Sequence, residues 1–365
     1  MSLQEISSVE SGKLNVENQQ NLKKQLNLKK QWDELRAASP ELRIRNAAEA
    51  LGVSELELLL LSPIEHRVRL RTEVETILRR VETLGEVMAL SRNDQAVHER
   101  TAEYKGLKVL GDAMGLYLGD MDLRLFLAHW VHVVAVFEPT AKDVRRSLQF
   151  FDAAGGAIHK IYATDTTDLA QWNALVSDMT SEDQAATVAL SVIKEARFPN
   201  NGTDNSSDVR SRWSQLKDVH EFNDLLKTLQ IDRLESLEKV GLEYAQPIAL
   251  DSVEIALEKA KGIQLDIMVF VGNKGIVQIY TGPVNKLVRM KQWFNVLDAK
   301  FNLHLDTTQI TSCWRVKRPS VDGVITSIDC FNAKRELIIS LFGARKPGQK
   351  ELSEWQALVA GLEAI

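Results

Sequence analysis

A chain of 365 residues, 44% apolar and 26% charged, has the makeup of a globular protein and is long enough for two domains of ordinary size. Its net charge of −5, from 45 basic and 50 acidic residues, offers no global attraction for nucleic acid. No apolar run approaches the ~20 residues of a membrane span, and the polar stretch 1–20 has no signal-peptide core, so a cytoplasmic protein without stable membrane insertion is expected.

Residues 1–38, rich in Lys, Gln, Asn and Leu at their start, read as a polar tail or frayed helix. Ser39-Pro40 offers an N-cap with proline at the first helical position; Ile44, Ala47, Ala48 and Leu51 then recur at helical spacing, and Gly52 stops the helix. Ser54-Glu55-Leu56-Glu57 is a capping box that opens another helix. This pattern over 39–60 loosely resembles a DNA-binding helix-turn-helix, but its second helix is rich in Glu and Leu rather than basic, so an ordinary helical hairpin is the better reading.

From Gly85 the pattern turns to strands, with short apolar stretches near 85–90, 94–98, 107–110, 122–127, 146–152 and 157–163. Ser147–Phe151 and Ala157–Tyr162 flank Asp152-Ala153-Ala154-Gly155-Gly156 as a hairpin, and a helix around Leu169–Met179 closes the unit. Residues 183–215, including the turn-rich Phe198–Ser207, are expected to be a mobile linker. Asp218 then caps a helix, with His220 in its first turn, Glu221 as capping partner, and Phe222, Leu225, Leu226 and Leu229 as the apolar face. Asp232 and Glu235 open the next helix, which carries Arg233 in its first turn.

The second half repeats the first. Val87–Asn93 is echoed by Ile267–Asn273, Leu123-Arg124-Leu125 by Leu303-His304-Leu305, Phe151-Asp152-Ala153 by Phe331-Asn332-Ala333, and Ile161-Tyr162 by Leu341-Phe342, each 180 positions on. The expected fold is α+β, an internal duplication of two similar domains (39–182 and 216–365), each a large antiparallel sheet with packed helices. The seam between such copies is a natural ligand site. The two cysteines, Cys313 and Cys330, form no CxxC or Cys/His cluster, so reduced thiols are expected.

His220 sits at the positive end of a helix dipole, which favours the neutral imidazole that can bind a metal, although on pattern alone a first-turn histidine is more often a solvated or capping residue. Alternation places Arg124 on the strand face opposite Leu123 and Leu125, toward solvent or the seam.

Several ordered stretches resemble the cytoplasmic hemin-degrading and hemin-transport family of Gram-negative bacteria, the HemS/ChuS/PhuS type. They include Asp122-Leu123-Arg124-Leu125-Phe126-Leu127, Ser147-Leu148-Gln149-Phe150-Phe151-Asp152, Asp218-Val219-His220, Phe270-Val271-Gly272-Asn273, Gln292-Trp293, Trp314 and Phe342-Gly343. The resemblance implies heme between the two domains, with His220 as axial iron ligand and Arg124 on the opposite, distal side. It further implies Arg233, Arg318 and Arg345 near the heme propionates and Phe270 and Phe342 against the porphyrin. Arg318 stands where members of the family carry lysine, and Phe342 where some carry tyrosine. A fixed guanidinium at Arg124 could donate hydrogen bonds to an oxygen ligand on the iron without acting as a base, which makes it the candidate catalytic residue.

The resemblance implies intracellular heme binding for heme-iron utilisation, by delivery, by oxidative degradation, or both. Degradation needs electrons, and the chain has no GxGxxG-type dinucleotide fingerprint, so turnover would draw on an external donor. A heme oxygenase or an inner-membrane heme importer are the partners implied, with the chain itself a monomer or dimer. The alternative from another class is a heme-responsive DNA-binding regulator using the 39–60 hairpin.

Overall fold

The computed structural model describes residues 3–111, 113–191, 206–218, 221–345 and 348–365. Helix α1 (Leu3–Ala38) packs Trp32 against α2 (Ile44–Leu51) and α3 (Glu55–Leu60) through Ala47, Ala48 and Leu58. Helix α2 starts later than the Ser39-Pro40 signal suggests. The Leu42 amide donates to the Ser39 carbonyl at 3.0 Å, so the proline serves a turn, and Arg43 takes the cap position with no side-chain bond. Gly52 ends α2 in the left-handed conformation at φ +67°, as the sequence indicates. The Ser54 capping box is formed: Ser54 Oγ accepts from the Glu57 amide at 3.2 Å, and the Glu57 carboxylate accepts from the Ser54 amide at 2.8 Å.

The first repeat continues through β1 (Arg67–Leu70), α4 (Val74–Val81), β2 (Glu86–Arg92), β3 (Ala96–Glu103), β4 (Lys108–Leu110), β5 (Met114–Tyr117), β6 (Asp122–Phe126), β7 (His132–Pro139), β8 (Val144–Phe151), β9 (Ala157–Ala163) and α5 (Leu169–Met179). The second runs through α6 (Ser206–Ser214), α7 (Glu221–Leu229), α8 (Arg233–Val240), β10 (Ala245–Ile248), α9 (Ser252–Gly262), β11 (Ile267–Asn273), β12 (Ile276–Gly282), β13 (Leu287–Met290), β14 (Trp293–Leu297), β15 (Phe301–Asp306), β16 (Ser312–Ser320), β17 (Gly323–Phe331), β18 (Leu337–Gly343) and α10 (Ser353–Ala360). Of the expected linker, 192–205 lie outside the described residues. Gln184 is tied to the backbone of Arg69 in both directions at 2.9 Å, and α6 buries Val209 and Trp213, so the ends of that stretch are packed structure.

The duplication is present, with a feature that the repeat alone does not announce. There are two nine-stranded antiparallel sheets, ordered β1-β7-β8-β9-β2-β3-β15-β14-β13 and β10-β16-β17-β18-β11-β12-β6-β5-β4. Each repeat builds six strands of its own sheet and lends three to the other. Arg124 on β6 sits opposite Val277, and His304 on β15 opposite Val97, so the exchange keeps the 180-residue offset of the sequence. The lent strands hydrogen-bond to the other half, while their apolar sides pack with their own: Leu123 and Leu125 lie in the core with α4 and α5, and Leu303 and Leu305 in that with α9 and α10. Trp172 and Trp355, the matching tryptophans of α5 and α10, are both fully buried.

The opposite face of each sheet carries its own helices. Leu56, Leu59 and Leu60 of α3 cover Val134, Val136 and Phe151 of the first sheet. Helices α6 to α8 cover Val316 and Phe331 at one end of the second.

Candidate functional site

Register fixes which side chains share the open face of the second sheet. Arg318 pairs with Ile325, Val316 with Ser327 and Trp314 with Asp329; Ser327 pairs with Phe342 and Asp329 with Ser340; Phe342 pairs with Met268 and Ser340 with Phe270. Phe270 pairs with Ile279, Ile279 with Asp122, and Val277 with Arg124. Opposed residues point to the same side, so Arg318, Phe342, Phe270 and Arg124 line one face. Leu123, Leu125, Val269, Ile328 and Leu341 alternate onto the core face. Arg124 and Arg318 lie five strands apart, about 24 Å at ~4.8 Å per strand, with the two phenylalanines between them. Arg124 comes from the first repeat and the rest from the second, so the face is a seam between copies.

At one end two arginines share one carboxylate. Arg318 is 2% exposed and donates to Ser327 Oγ and Asp329 Oδ2, each at 2.8 Å. Arg233, at the start of α8, lies 3.7 Å from the same Asp329 oxygen. Asp232 caps α8 by accepting from the Glu235 amide at 2.6 Å, as the sequence indicates, and so fixes where Arg233 emerges. Both guanidinium carbons sit close to the Phe222 ring of α7, at 4.8 Å for Arg233 and 4.9 Å for Arg318. Burial alone would raise the Asp329 carboxyl; Arg318 and Arg233 outweigh it and hold it below the ordinary range. Burial lowers Arg233 to about 10, with Asp329 opposing, so it stays charged near neutrality. Two cations on one anion leave a net positive charge at this end. Arg318 is spent within the wall; Arg233, turned toward the same carboxylate, keeps 30% of its side chain exposed.

In the middle, the Phe270 and Phe342 rings lie 4.8 Å apart at 56° and form a half-buried apolar wall. Arg345, just past β18, donates to Asp322 Oδ2 at 3.4 Å and to the Gln349 carbonyl at 3.5 Å. At the far end Arg124 is paired with Asp122 and donates weakly to the Tyr117 carbonyl at 3.4 Å. His220 lies outside the described residues. Helix α7 begins beside it at Glu221, whose carboxylate accepts from the Lys217 amide at 2.8 Å, and Phe222 is buried against Trp213.

The matching face of the first sheet differs in chemistry. The positions 180 residues earlier are Glu138 for Arg318, Gln149 for Asp329, Leu90 for Phe270 and Tyr162 for Phe342, while His304 stands for Arg124. That face instead carries Lys160, paired with Glu55 of α3, and Arg92, which burial and the nearby Arg45 and Arg43 lower to about 10. His98 faces inward, fully buried, with burial lowering its imidazole to about 3. The 39–60 hairpin presents no reading helix: α3 spans six residues, of which Glu55, Leu56, Leu58, Leu59 and Leu60 are buried.

Comparison with known proteins decides the family. The family model of the haemin-degrading HemS.ChuX domain matches residues 52–179 and 230–362, one stretch in each repeat. The chain belongs to the HemS family. Among its curated relatives are the hemin transport proteins HmuS of Yersinia pestis and HemS of Yersinia enterocolitica, each 36% identical over 91% of this chain and 96% of the relative. Among solved structures it is similar to holo-PhuS, a heme-binding protein from Pseudomonas aeruginosa, with TM-score 0.91 and 41% identity over 93% of this chain and 99% of that one. The heme degrading enzyme ChuS of Escherichia coli O157:H7 superposes with TM-score 0.87 at 33% identity, again over 93% and 99%.

Within this HemS-family fold, sequence reasoning passed over Asp329, Ser327 and Asp122. Each was within reach. A buried arginine needs a counterion, and Ser327 and Asp329 alternate onto Arg318's side of the neighbouring strand. Asp122 stands two residues before Arg124 on one strand, and therefore on one face.

Proposed function

We propose that this protein binds heme on the open face of its second sheet and serves heme-iron utilisation in the cytoplasm. In this reading His220 would ligate the iron, Arg124 would face the ligand opposite it, and Phe270 and Phe342 would wall the porphyrin. Arg233 and Arg345 meet the propionates, with Arg318 anchoring the wall behind Arg233. The observation that carries the reading is one sheet face holding a net-positive arginine cluster, a pair of phenyl rings and a separate arginine in that order. A planar apolar dianion needs that sequence of surfaces: cations at its carboxylate edge and apolar contact along its plane. The relatives described as hemin transport, heme-binding and heme degrading proteins support it.

Bound heme supplies an iron centre that reacts with oxygen once reduced; the chain's own part is to hold the ring, exclude water from its plane and aim Arg124 at the open side. Hemin titration tests the reading. Wild type should develop a saturable Soret band, and His220→Ala should bind more weakly with a shifted band. Some binding should persist in that variant, because burying porphyrin surface contributes independently of the iron bond. Absence of a Soret change in wild type would overturn the function, and an unchanged His220→Ala spectrum would overturn the ligand.

Delivery and degradation separate in one further measurement. The hemin complex is reduced without oxygen and then exposed to it with catalase present. Biliverdin or verdoheme formation marks an oxidising enzyme that takes electrons from an outside donor. Intact heme that moves to an added heme oxygenase marks a carrier. In the oxidising case Arg124→Ala should slow heme loss on the order of 10²-fold, the usual effect of removing one preorganised donor.

A further inference from the structure

Arg124 is not a free guanidinium on the open face. It is paired with Asp122, two residues earlier on β6, and the two side chains are 23% and 15% exposed. The strand spacing puts both on one side, with Leu123 between them turned into the core. The corresponding pair of the other repeat, Asn302 and His304, makes no such bond. His304 Nδ1 is instead joined to Asn295 Oδ1 at 2.7 Å, and Asn302 donates to Glu99 Oε2 at 3.3 Å. Glu99 acts on His304 only through space, whereas Asp122 is bonded directly to Arg124, on the face that also carries Phe270, Phe342 and the Arg233 cluster.

We propose that Asp122 is a positioning residue that competes with an anion at the heme iron for the guanidinium of Arg124. The inference rests on the heme reading above and assigns Asp122 a role within that site. A guanidinium bridging a carboxylate and an incoming anion divides its donors and its field between them. With Asp122 in place, Arg124 is fixed in direction but partly neutralised, so the site tolerates a neutral distal ligand such as water. Without that charge, the whole cationic field of Arg124 falls on the distal ligand, and anions bind it better. Asp122 thus sets the preference of the site between neutral and anionic distal ligands.

The test uses the full chain loaded with one equivalent of hemin, in wild type, Asp122→Asn, Asp122→Glu, Arg124→Ala and the Asp122→Asn/Arg124→Ala double variant. Two optical readouts apply: the Kd for fluoride, and the midpoint pH of the ferric water-to-hydroxide transition. Asp122→Asn should bind fluoride roughly tenfold more tightly and lower the midpoint by about one unit, the scale on which a neighbouring charge acts. Arg124→Ala should move both readouts the other way. The double variant should match Arg124→Ala, because Asp122 acts only through the guanidinium, and Asp122→Glu should return both values toward wild type. An Asp122→Asn protein equal to wild type, or shifted in the same direction as Arg124→Ala, overturns the proposal while leaving the heme reading standing. Failure of wild type to bind hemin overturns both, whereas an Arg124→Ala protein that binds hemin and matches wild type in both readouts overturns the proposal and the distal role of Arg124 while heme binding itself stands. Should Asp122→Asn not fold, Asp122→Ser carries the same expectation and the same outcomes.

Discussion

Asn93 and Asn273 hold the two halves together by reciprocal bonds. Asn93 Nδ2 donates to the carbonyls of Ile338 at 2.8 Å and Gly272 at 3.3 Å; Asn273 Nδ2 donates to those of Ile158 and Arg92, both at 2.9 Å. Every partner of the one is the 180-residue counterpart of a partner of the other. The same side-chain oxygens also close the following turns, on the amides of Gln95 and Ala96 in one copy and of Gly275 in the other.

Replacing either asparagine by alanine leaves carbonyls of the opposite half without a donor. Each such group costs about 1–3 kcal/mol when buried. Asn93→Ala and Asn273→Ala should each lower stability by roughly that amount in urea unfolding. A loss under about 0.5 kcal/mol, the usual scale of an inert surface change, would show that the bonds are incidental.

The strand exchange predicts the behaviour of a single repeat. A chain of residues 39–191 retains β3 with an open edge and β4 to β6 without their partner β12. The edge of β3 is the counterpart of β12, so a second copy offers what is missing. Sedimentation should show a dimer in which β6 of each copy pairs with β3 of the other. A stable, well-folded monomer would contradict this.

Asp329→Asn removes the carboxylate shared by Arg318 and Arg233. With Arg318 and Asp329 essentially buried, the expected loss is about 3–5 kcal/mol, the range for breaking a buried ion pair from one side. Combining it with Arg318→Met, which removes the stranded cation, should recover part of that loss. Equal stability of the single and double variants would count against charge as the cause.

Two buried histidines make stability depend on acid. Burial lowers His98 to about 3; it does the same to His159, whose nitrogens face the Ser91 hydroxyl at 2.8 Å and the Tyr104 hydroxyl at 2.6 Å. In the unfolded chain both take up a proton near the ordinary value of 6.5. The unfolded state therefore binds more protons between the two values. Stability is complete above pH 6.5 and falls as pH drops toward 3, by about 1.4 kcal/mol per unit for each histidine. Urea midpoints at pH 7.5 and 5 should differ accordingly, with a smaller difference for His159→Gln. A flat profile would rule this out.

Much of the architecture was legible in the sequence because a duplication is a statement about fold made twice. The offset of Arg124 and His304, the hairpin at Asp152–Gly156, and the Ser54 and Asp232 caps all reappear in the structure. The exchange of β4–β6 for β13–β15 was not legible, since periodicity shows which face of a strand is apolar and says nothing about which neighbour takes its backbone. The α2 start was misplaced because Ser-Pro signals a turn as readily as a cap. At the site, charge and aromatic character were visible one residue at a time. That Arg318 is consumed by Asp329, or that Arg124 shares its guanidinium with Asp122, depends on cross-strand and same-face geometry.

The exchange also sets an order of events on the ribosome. Leu125 of β6 pairs with Ile276, so the strand emerges about 150 residues before its partner exists. At roughly 5–20 residues per second, β6 waits on the order of 8–30 s with an unpaired edge. The β3 edge waits longer, since it pairs with β15. During that interval the nearest chain able to satisfy β6 is the β3 of another copy on the same message, because β3 and β12 present equivalent edges. Crowded translation therefore sets the chain's own β3 edge against that of neighbouring copies, and a holdase that shields 108–126 until the second half arrives would raise the yield of correctly paired chains.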